Sequence, residues 1–258
     1  DLAVTLGSTG AFVALLMLSV WLLSVWRRDA SVVDIFWGPG FAGIALVAFA
    51  VSEGPLARRA LVTALALIWG LRLGGYLLWR NWGKPEDFRY QAMRRHWGDR
   101  FAIVSLFTVF ALQGSLMWIV SLPLQLAQAS PTPEALGVFD ALGAGLWLVG
   151  MFFETVGDAQ LARCKAAPAN AGRGMDRGLW RYTRHPNYFG DFCVWWGFYL
   201  MALAAGAWWT IVGPLIMSFL LLRFSGVRLL ERDIGERRPA YAEYIRRTNA
   251  FFPGPRQD

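Results

Sequence analysis

Ser8–Trp26 reads S-T-G-A-F-V-A-L-L-M-L-S-V-W-L-L-S-V-W, without a charge, and Arg27-Arg28 follows at once. A helix needs about 20 mostly apolar residues to cross a hydrocarbon core, so this stretch predicts a membrane span. Its positive flank comes after the apolar run, the reverse of a signal peptide. Working outward, six further runs predict spans at Ile35–Val51, Ala60–Trp79, Phe101–Leu122, Leu136–Val156, Phe192–Ala207 and Trp208–Leu222. The last two are short, part around Gly206, and are together too long for one crossing, which favours a tight hairpin. Glycine and proline within such runs are better tolerated in lipid than in water.

Composition agrees. Apolar side chains make up 56% and charged ones 17% of the 258 residues, against roughly 45–50% and 25% in soluble domains. The 14 Trp and 18 Phe point to lipid, because aromatic rings collect at membrane interfaces. Disorder, a disulfide scaffold and a soluble basic domain are excluded. Cys164 and Cys193 cannot make a disulfide framework, and with only His96 and His185 beside them no zinc site is expected.

The basic residues set the topology. With seven spans, the loops after spans 1, 3 and 5 share a side with the C-terminal tail, and these regions hold 2, 6, 6 and 8 of the 25 Lys and Arg. Arg58 and Arg59 lie opposite, and Arg72 falls inside span 3. Positive residues stay cytoplasmic. The sequence therefore predicts an all-α integral membrane protein, one domain over 1–258, with the N-terminus outside and the C-terminus cytoplasmic. Long loops, at Arg80–Arg100, Asp158–Asp191 and the tail from Arg223, all face inward, while the outer loops such as Gln128–Ala135 are short. Loops carry function on rigid scaffolds, so polar ligands are met from the cytoplasmic side.

Charges at membrane depth need a reason. Asp34 opens span 2 and reads either as a helix-terminal acid or partner of Arg27 or Arg28, or as a functional carboxyl. Arg72, between Trp69 and two glycines, calls for an anionic partner or ligand. Glu154, Asp158, Leu161 and Lys165 are spaced four, three and four, along one helical stripe. That stripe is either an ion-pair ladder or the wall of a cavity for hydroxyls and phosphate. Six cations, Arg163, Lys165, Arg173, Arg177, Arg181 and Arg184, crowd the approach to span 6. Pro186 is a natural helix start, and a helix N-terminus flanked by arginines suits an anion; attraction to anionic lipid is the plainer reading. There is no phosphate loop, nucleophile elbow or H-E-x-x-H pair. Gly143-Ala144-Gly145 follows no strand and reads as helix-packing material.

The run Tyr182-Thr183-Arg184-His185-Pro186-Asn187-Tyr188-Phe189-Gly190-Asp191 resembles the signature of membrane steroid 5α-reductases and related sterol reductases, and more closely their bacterial homologues. The likeness extends to the acid at span 2, to Asn81-Trp82-Gly83-Lys84-Pro85, to the Glu154–Lys165 stripe and to Phe251-Phe252-Pro253. Isoprenylcysteine methyltransferases share the Arg-His-Pro core, and the extension through Asp191 tilts the choice to reductases.

The resemblance implies a seven-helix protein of the bacterial inner membrane that encloses NADPH on its cytoplasmic face. It also implies that an apolar enone lipid, such as a Δ4-3-oxo-steroid, enters from the bilayer. Asp34 stands where the family has a catalytic Glu, and Trp69 where many relatives have a Tyr that polarises the carbonyl; Val33 replaces a Gln. By position, Arg72, Asn81, Lys84, Glu154, Asp158, Leu161, Lys165, Arg173, Tyr182, His185, Asn187, Tyr188 and Asp191 would line the cofactor, with Glu231, Tyr241 and Tyr244 added from the tail. A carboxyl in an apolar site has a raised pKa and can donate a hydrogen bond to an enolate oxygen. No metal or nucleic acid is implied. Two alternatives stand beside this one: a methyltransferase using S-adenosylmethionine, and a non-enzymatic protein that binds membrane lipids.

Overall fold

The first helix, α1 (Leu2–Arg27), shows the logic of the whole chain. Its buried residues, Thr5, Thr9, Val13, Met17, Val20 and Ser24, recur every three or four positions and form one stripe. The opposite face leaves Leu15, Leu18 and Leu22 uncovered, a distribution suited to lipid and costly in water. The computed structural model describes residues 2–167, 174–224 and 239–256, and among the described residues it holds helices and no strand.

After α1 come the single turn α2 (Val32–Ile35), α3 (Trp37–Val51), α4 (Leu56–Asn81) and α5 (Phe88–Trp97). A 3-10 turn at Gly98–Arg100 leads into α6 (Phe101–Ser105), a π turn over Leu106–Ala111, α7 (Leu112–Val120) and α8 (Leu122–Ala129). The second half has α9 (Val138–Ala166), α10 (Pro186–Ala204), a 3-10 turn at Trp208–Ile211, α11 (Val212–Phe219) with a π turn after it, and α12 (Pro239–Arg247). Leu2–Arg27, Leu56–Asn81, Phe88–Val120 and Val138–Ala166 are long and apolar enough to cross a membrane; Trp37–Val51 and Trp208–Arg223 are shorter apolar helices. That makes a helical, multi-pass membrane protein.

Two compact units emerge: Asp1–Val138 with Met201–Thr210, and Phe139–Leu200 with Ile211–Asp258. In the first, α3 and α4 meet backbone to backbone. A Cβ at Gly38 would lie 2.2 Å from the Gly70 carbonyl oxygen, and one at Gly70 would lie 2.3 Å from that of Gly38. Small residues permit such close helix packing in lipid. Beside them α8 is buried along its length, including Gln125 and Gln128. Buried amides are costly unless paired: Thr9 Oγ1 donates to Gln125 Oε1 (2.6 Å), and Thr63 Oγ1 to Gln128 Oε1 (3.0 Å).

In the second unit α9 and α10 run antiparallel along a glycine seam. A Cβ at Gly197 would sit 2.7 Å from the Gly143 oxygen, one at Gly190 2.5 Å from the Gly150 oxygen, and one at Gly157 3.2 Å from the Pro186 ring. The seven-residue steps 143, 150 and 157 keep one face toward the partner. Gly145, off that face, meets nothing within 4 Å.

The helices depart from the sequence reading at their polar ends. The loop expected over Arg80–Arg100 is largely α5, whose N-cap Asp87 accepts from the Arg89 N–H. Helix α9 continues past Val156 to Ala166, and α10 starts at Pro186 instead of Phe192. Hydropathy drops at Glu154 and Asp158, but both are buried against protein, so the backbone stays helical where the apolar run stops. The outer loop expected from Gln128 begins inside α8. A turn at Gly206 (φ +76°) separates α10 from the last apolar stretch, so the chain does break where the two apolar runs part.

Candidate functional site

In the first unit the polar centre is Asp34, carried by α2 just ahead of the apolar α3. Its expected partners were Arg27 or Arg28. Instead α5 supplies them: Tyr90 Oη donates to Asp34 Oδ1 (3.1 Å) and Arg89 Nη2 to Oδ2 (3.4 Å). Burial pushes the Asp34 carboxyl above the usual carboxylate range, and the Arg89 charge and Tyr90 hydroxyl offset this only in part. Tyr90 is itself buried. Its oxygen accepts from Gln113 Nε2 (3.1 Å), and Gln113 Oε1 accepts from Trp37 Nε1 (2.6 Å).

A lattice of acids and arginines holds α5 in place. Arg94 grips Glu86 with two nitrogens (2.8 and 3.0 Å), and the Ala30 N–H donates to the same carboxylate (2.7 Å). Such bidentate pairs are strong and directional. Asp87 Oδ1 accepts from Arg89 Nε at 2.8 Å. Glu86, Asp87, Arg89 and Tyr90 lie in a stretch that reads as a basic loop, and Gln113 lies inside a predicted span, so none of them stands out in the sequence. The cue was Asp87, an N-cap residue type ahead of a run of helix formers.

Of the other residues predicted in this unit, Trp69 is fully buried on α4, its ring 5.7 Å from Phe41, which lies 5.6 Å from Trp37. Arg72 is half-buried above the Tyr76 ring at 5.5 Å. Asn81 ends α4 and accepts from Arg80 Nε (3.3 Å). Lys84 is exposed, just beyond Gly83 (φ +72°).

In the second unit the stripe and the Tyr182–Asp191 run meet. Glu154 and Asp158 are buried on α9, Leu161 is half-buried and Lys165 is exposed. Asn187, in the first turn of α10, donates through Nδ2 to Asp158 Oδ1 (3.2 Å). His185 is buried with its ring stacked on Tyr188, 5.5 Å between centroids and 8° between planes. Asp191 follows one turn later, half-buried. Trp180 Nε1 donates to the Gly157 carbonyl (3.0 Å), and the Leu179 N–H to Gln160 Oε1 (3.0 Å).

The same run is a socket for the tail. Arg184 Nη1 donates to the carbonyls of Ile245 (2.9 Å) and Thr248, capping the end of α12. Thr183 Oγ1 donates to the Phe251 carbonyl (2.7 Å), and the buried Tyr244 hydroxyl to the Trp180 carbonyl. Tyr241 packs on Tyr244 at 5.2 Å, and a Cβ at Gly174 would lie 2.9 Å from its ring. Tyr182 is half exposed, its carbonyl accepting the Gly254 N–H (3.1 Å). Among the clustered cations, Arg163 and Arg177 line a cleft of about 340 Å³ together with Gln160, Cys164 and Asp176. Two guanidinium groups on one cleft suit a phosphate-bearing ligand. Arg173 and Glu231 lie outside the described residues. Among the described residues no group of three or more His, Cys, Asp or Glu is placed to hold a metal ion.

No solved structure matches the chain. A protein of Schizosaccharomyces pombe described as uncharacterized is 26% identical over an aligned length of 293 residues, covering 95% of this chain and 80% of its own length. The profile of a protein family of unknown function, DUF1295, matches residues 20–248. That stretch takes in the Asp34 site, the α9–α10 seam and α12 alike, and the chain belongs to this family.

Proposed function

We propose that the chain is a membrane oxidoreductase of the steroid 5α-reductase type, reducing the Δ4 double bond of a 3-oxo-steroid or a similar enone lipid with NADPH. In this reading α3, α10 and the stretch after Trp208 join the four long helices to make seven crossings. The N-terminus is outside, and the basic loops lie on the cytoplasmic face of a bacterial inner membrane.

The observation that carries the proposal is Asp34: a carboxyl at the head of an apolar helix, biased toward its neutral form, with two donors fixing it. Reduction of a double bond conjugated to a ketone builds charge on the ketone oxygen, and a neutral acid aimed there stabilises it. The chain's donors also fit a phosphorylated nucleotide. Arg163 and Arg177 face one cleft, and Asn187 is oriented by Asp158 at the N-terminus of α10, where backbone N–H groups favour anions. These residues and Lys165 would neutralise and orient the phosphates, while the apolar helices exclude water. NADPH, when bound, supplies the hydride. The ketone oxygen would accept from Asp34, and the buried Trp69 would shape the apolar wall.

Purified protein given NADPH and a Δ4-3-oxo-steroid should consume NADPH in step with substrate. Asp34→Asn should lower turnover about a hundredfold with nucleotide affinity nearly unchanged. Unchanged turnover removes Asp34 from the chemistry. Tight binding of S-adenosylmethionine without NADPH binding replaces reduction with methyl transfer.

A further inference from the structure

Asp34 is the end of a row of hydrogen bonds whose direction can be worked out from donor chemistry alone. An indole nitrogen only donates. Trp37 Nε1 lies 2.6 Å from the Gln113 side chain, so the amide must turn its oxygen there and its nitrogen toward Tyr90. An amide nitrogen also only donates, so the Tyr90 oxygen accepts and its hydrogen is left for Asp34 Oδ1, 3.1 Å away. We propose that Trp37, Gln113 and Tyr90 are positioning residues, a one-way chain of donors that occupies Oδ1 of Asp34 and leaves Oδ2 as the oxygen that carries and presents the proton.

The reverse arrangement fails on the same grounds. A proton on Oδ1 would make Tyr90 the acceptor, and the phenol hydrogen would then face the Gln113 amide nitrogen, which accepts nothing. Buried polar hydrogens without acceptors are rare because they are costly. Oδ2 faces Arg89 Nη2 across a long 3.4 Å, while Arg89 Nε holds Asp87 at 2.8 Å. Arg89 can therefore give way at Oδ2 without losing its stronger partner, and a carbonyl oxygen can take that place. Arg89 and Tyr90 from α5, Asp87 ahead of it, and Arg80 from the end of α4 are the charged and titratable groups acting on Asp34. The catalytic meaning of the chain rests on the reductase reading; the direction of the bonds does not.

The test is a pH titration followed by infrared difference spectroscopy of the carboxylic acid C=O stretch in the full-length protein, without substrate. The Asp34 band is identified by its loss in Asp34→Asn. Tyr90→Phe removes the donor to Oδ1 and should move the midpoint upward by about one pH unit. Trp37→Phe, two hydrogen bonds away, frees the Gln113 oxygen to turn to Tyr90 and draw off its hydrogen. The midpoint should rise again, by less. Gln113→Met breaks the chain at its centre and serves if Trp37→Phe does not fold. A midpoint that stays in place in the folded Trp37→Phe or Gln113→Met protein overturns the directed chain, even if the enone is reduced. Shifted midpoints with no NADPH-dependent reduction leave the chain standing and remove the reductase reading.

Discussion

Asp34 and Asp158 are both acids set beside an apolar helix, yet the two regions hold them by different means. Asp158 lies on a seam where backbones touch, and its partner Asn187 arrives because Gly150 and Gly190 let α9 and α10 close. Asp34 depends on side chains from more than fifty residues away, held by Glu86, Asp87 and Arg94. The first arrangement tolerates charge better than volume, and the second tolerates volume better than charge.

Adding one methyl group to the seam should have the largest effect. In Gly190→Ala the new carbon would meet the Gly150 oxygen at 2.5 Å and the Glu154 nitrogen at 2.6 Å. Backbone on both sides cannot step aside, so we expect a loss of about 3 kcal/mol or more. Gly145→Ala on the same helix meets nothing and should gain up to about 1 kcal/mol from helix propensity. Unfolding in detergent of the two variants reads the contrast; equal stabilities would dissolve the seam as an explanation.

The tail gives an intermediate effect. Arg184→Gln withdraws a charged donor from the carbonyls of Ile245 and Thr248, worth about 2 kcal/mol. Amide exchange should quicken over 239–256 while α9 keeps its protection. Uniform quickening, or none, would mean that Arg184 does not anchor α12.

What the sequence discloses divides along the same line. The stripe Glu154–Asp158–Lys165 and the run ending at Asp191 are local patterns, and helical spacing alone brings the stripe to one face, so that part of the site is legible. That α1, α4 and α9 are helices long enough to cross a membrane follows from their apolar runs. The partners of Asp34 do not, because Arg89 and Tyr90 sit in a polar stretch where hydropathy is silent and only the cap at Asp87 marks a helix. Helix ends are hidden for a related reason: Glu154 and Asp158 lower the hydropathy of α9 but are paid for by protein contacts, not by a break in the backbone. The buried amides of α8 escape notice too, since Gln128 reads as the start of an outer loop and only the fold shows Thr9 and Thr63 satisfying Gln125 and Gln128.

The smallest effect tests the lattice through pH. Burial raises the Glu86 carboxyl, but hydrogen bonds from Arg94 and the Ala30 N–H outweigh it and hold the group below the ordinary glutamate value of 4.5. A depressed carboxyl stabilises the fold above its unfolded value and loses that contribution as pH falls through the folded one. Asp34 has the opposite sign: its folded carboxyl is raised above 3.8, so the fold gains as pH falls through the folded value, and the gain is complete below the unfolded one. Glu86→Gln should therefore be less stable than the parent at neutral pH, by about 1 kcal/mol for a pair whose arginine is partly exposed. The gap should close as pH drops below 4.5, while against Asp34→Asn the parent should gain as pH falls toward 3.8, in the window above that value. Parallel curves for both variants would mean that the lattice around α5 is indifferent to charge, and the contrast between the two acids would fail.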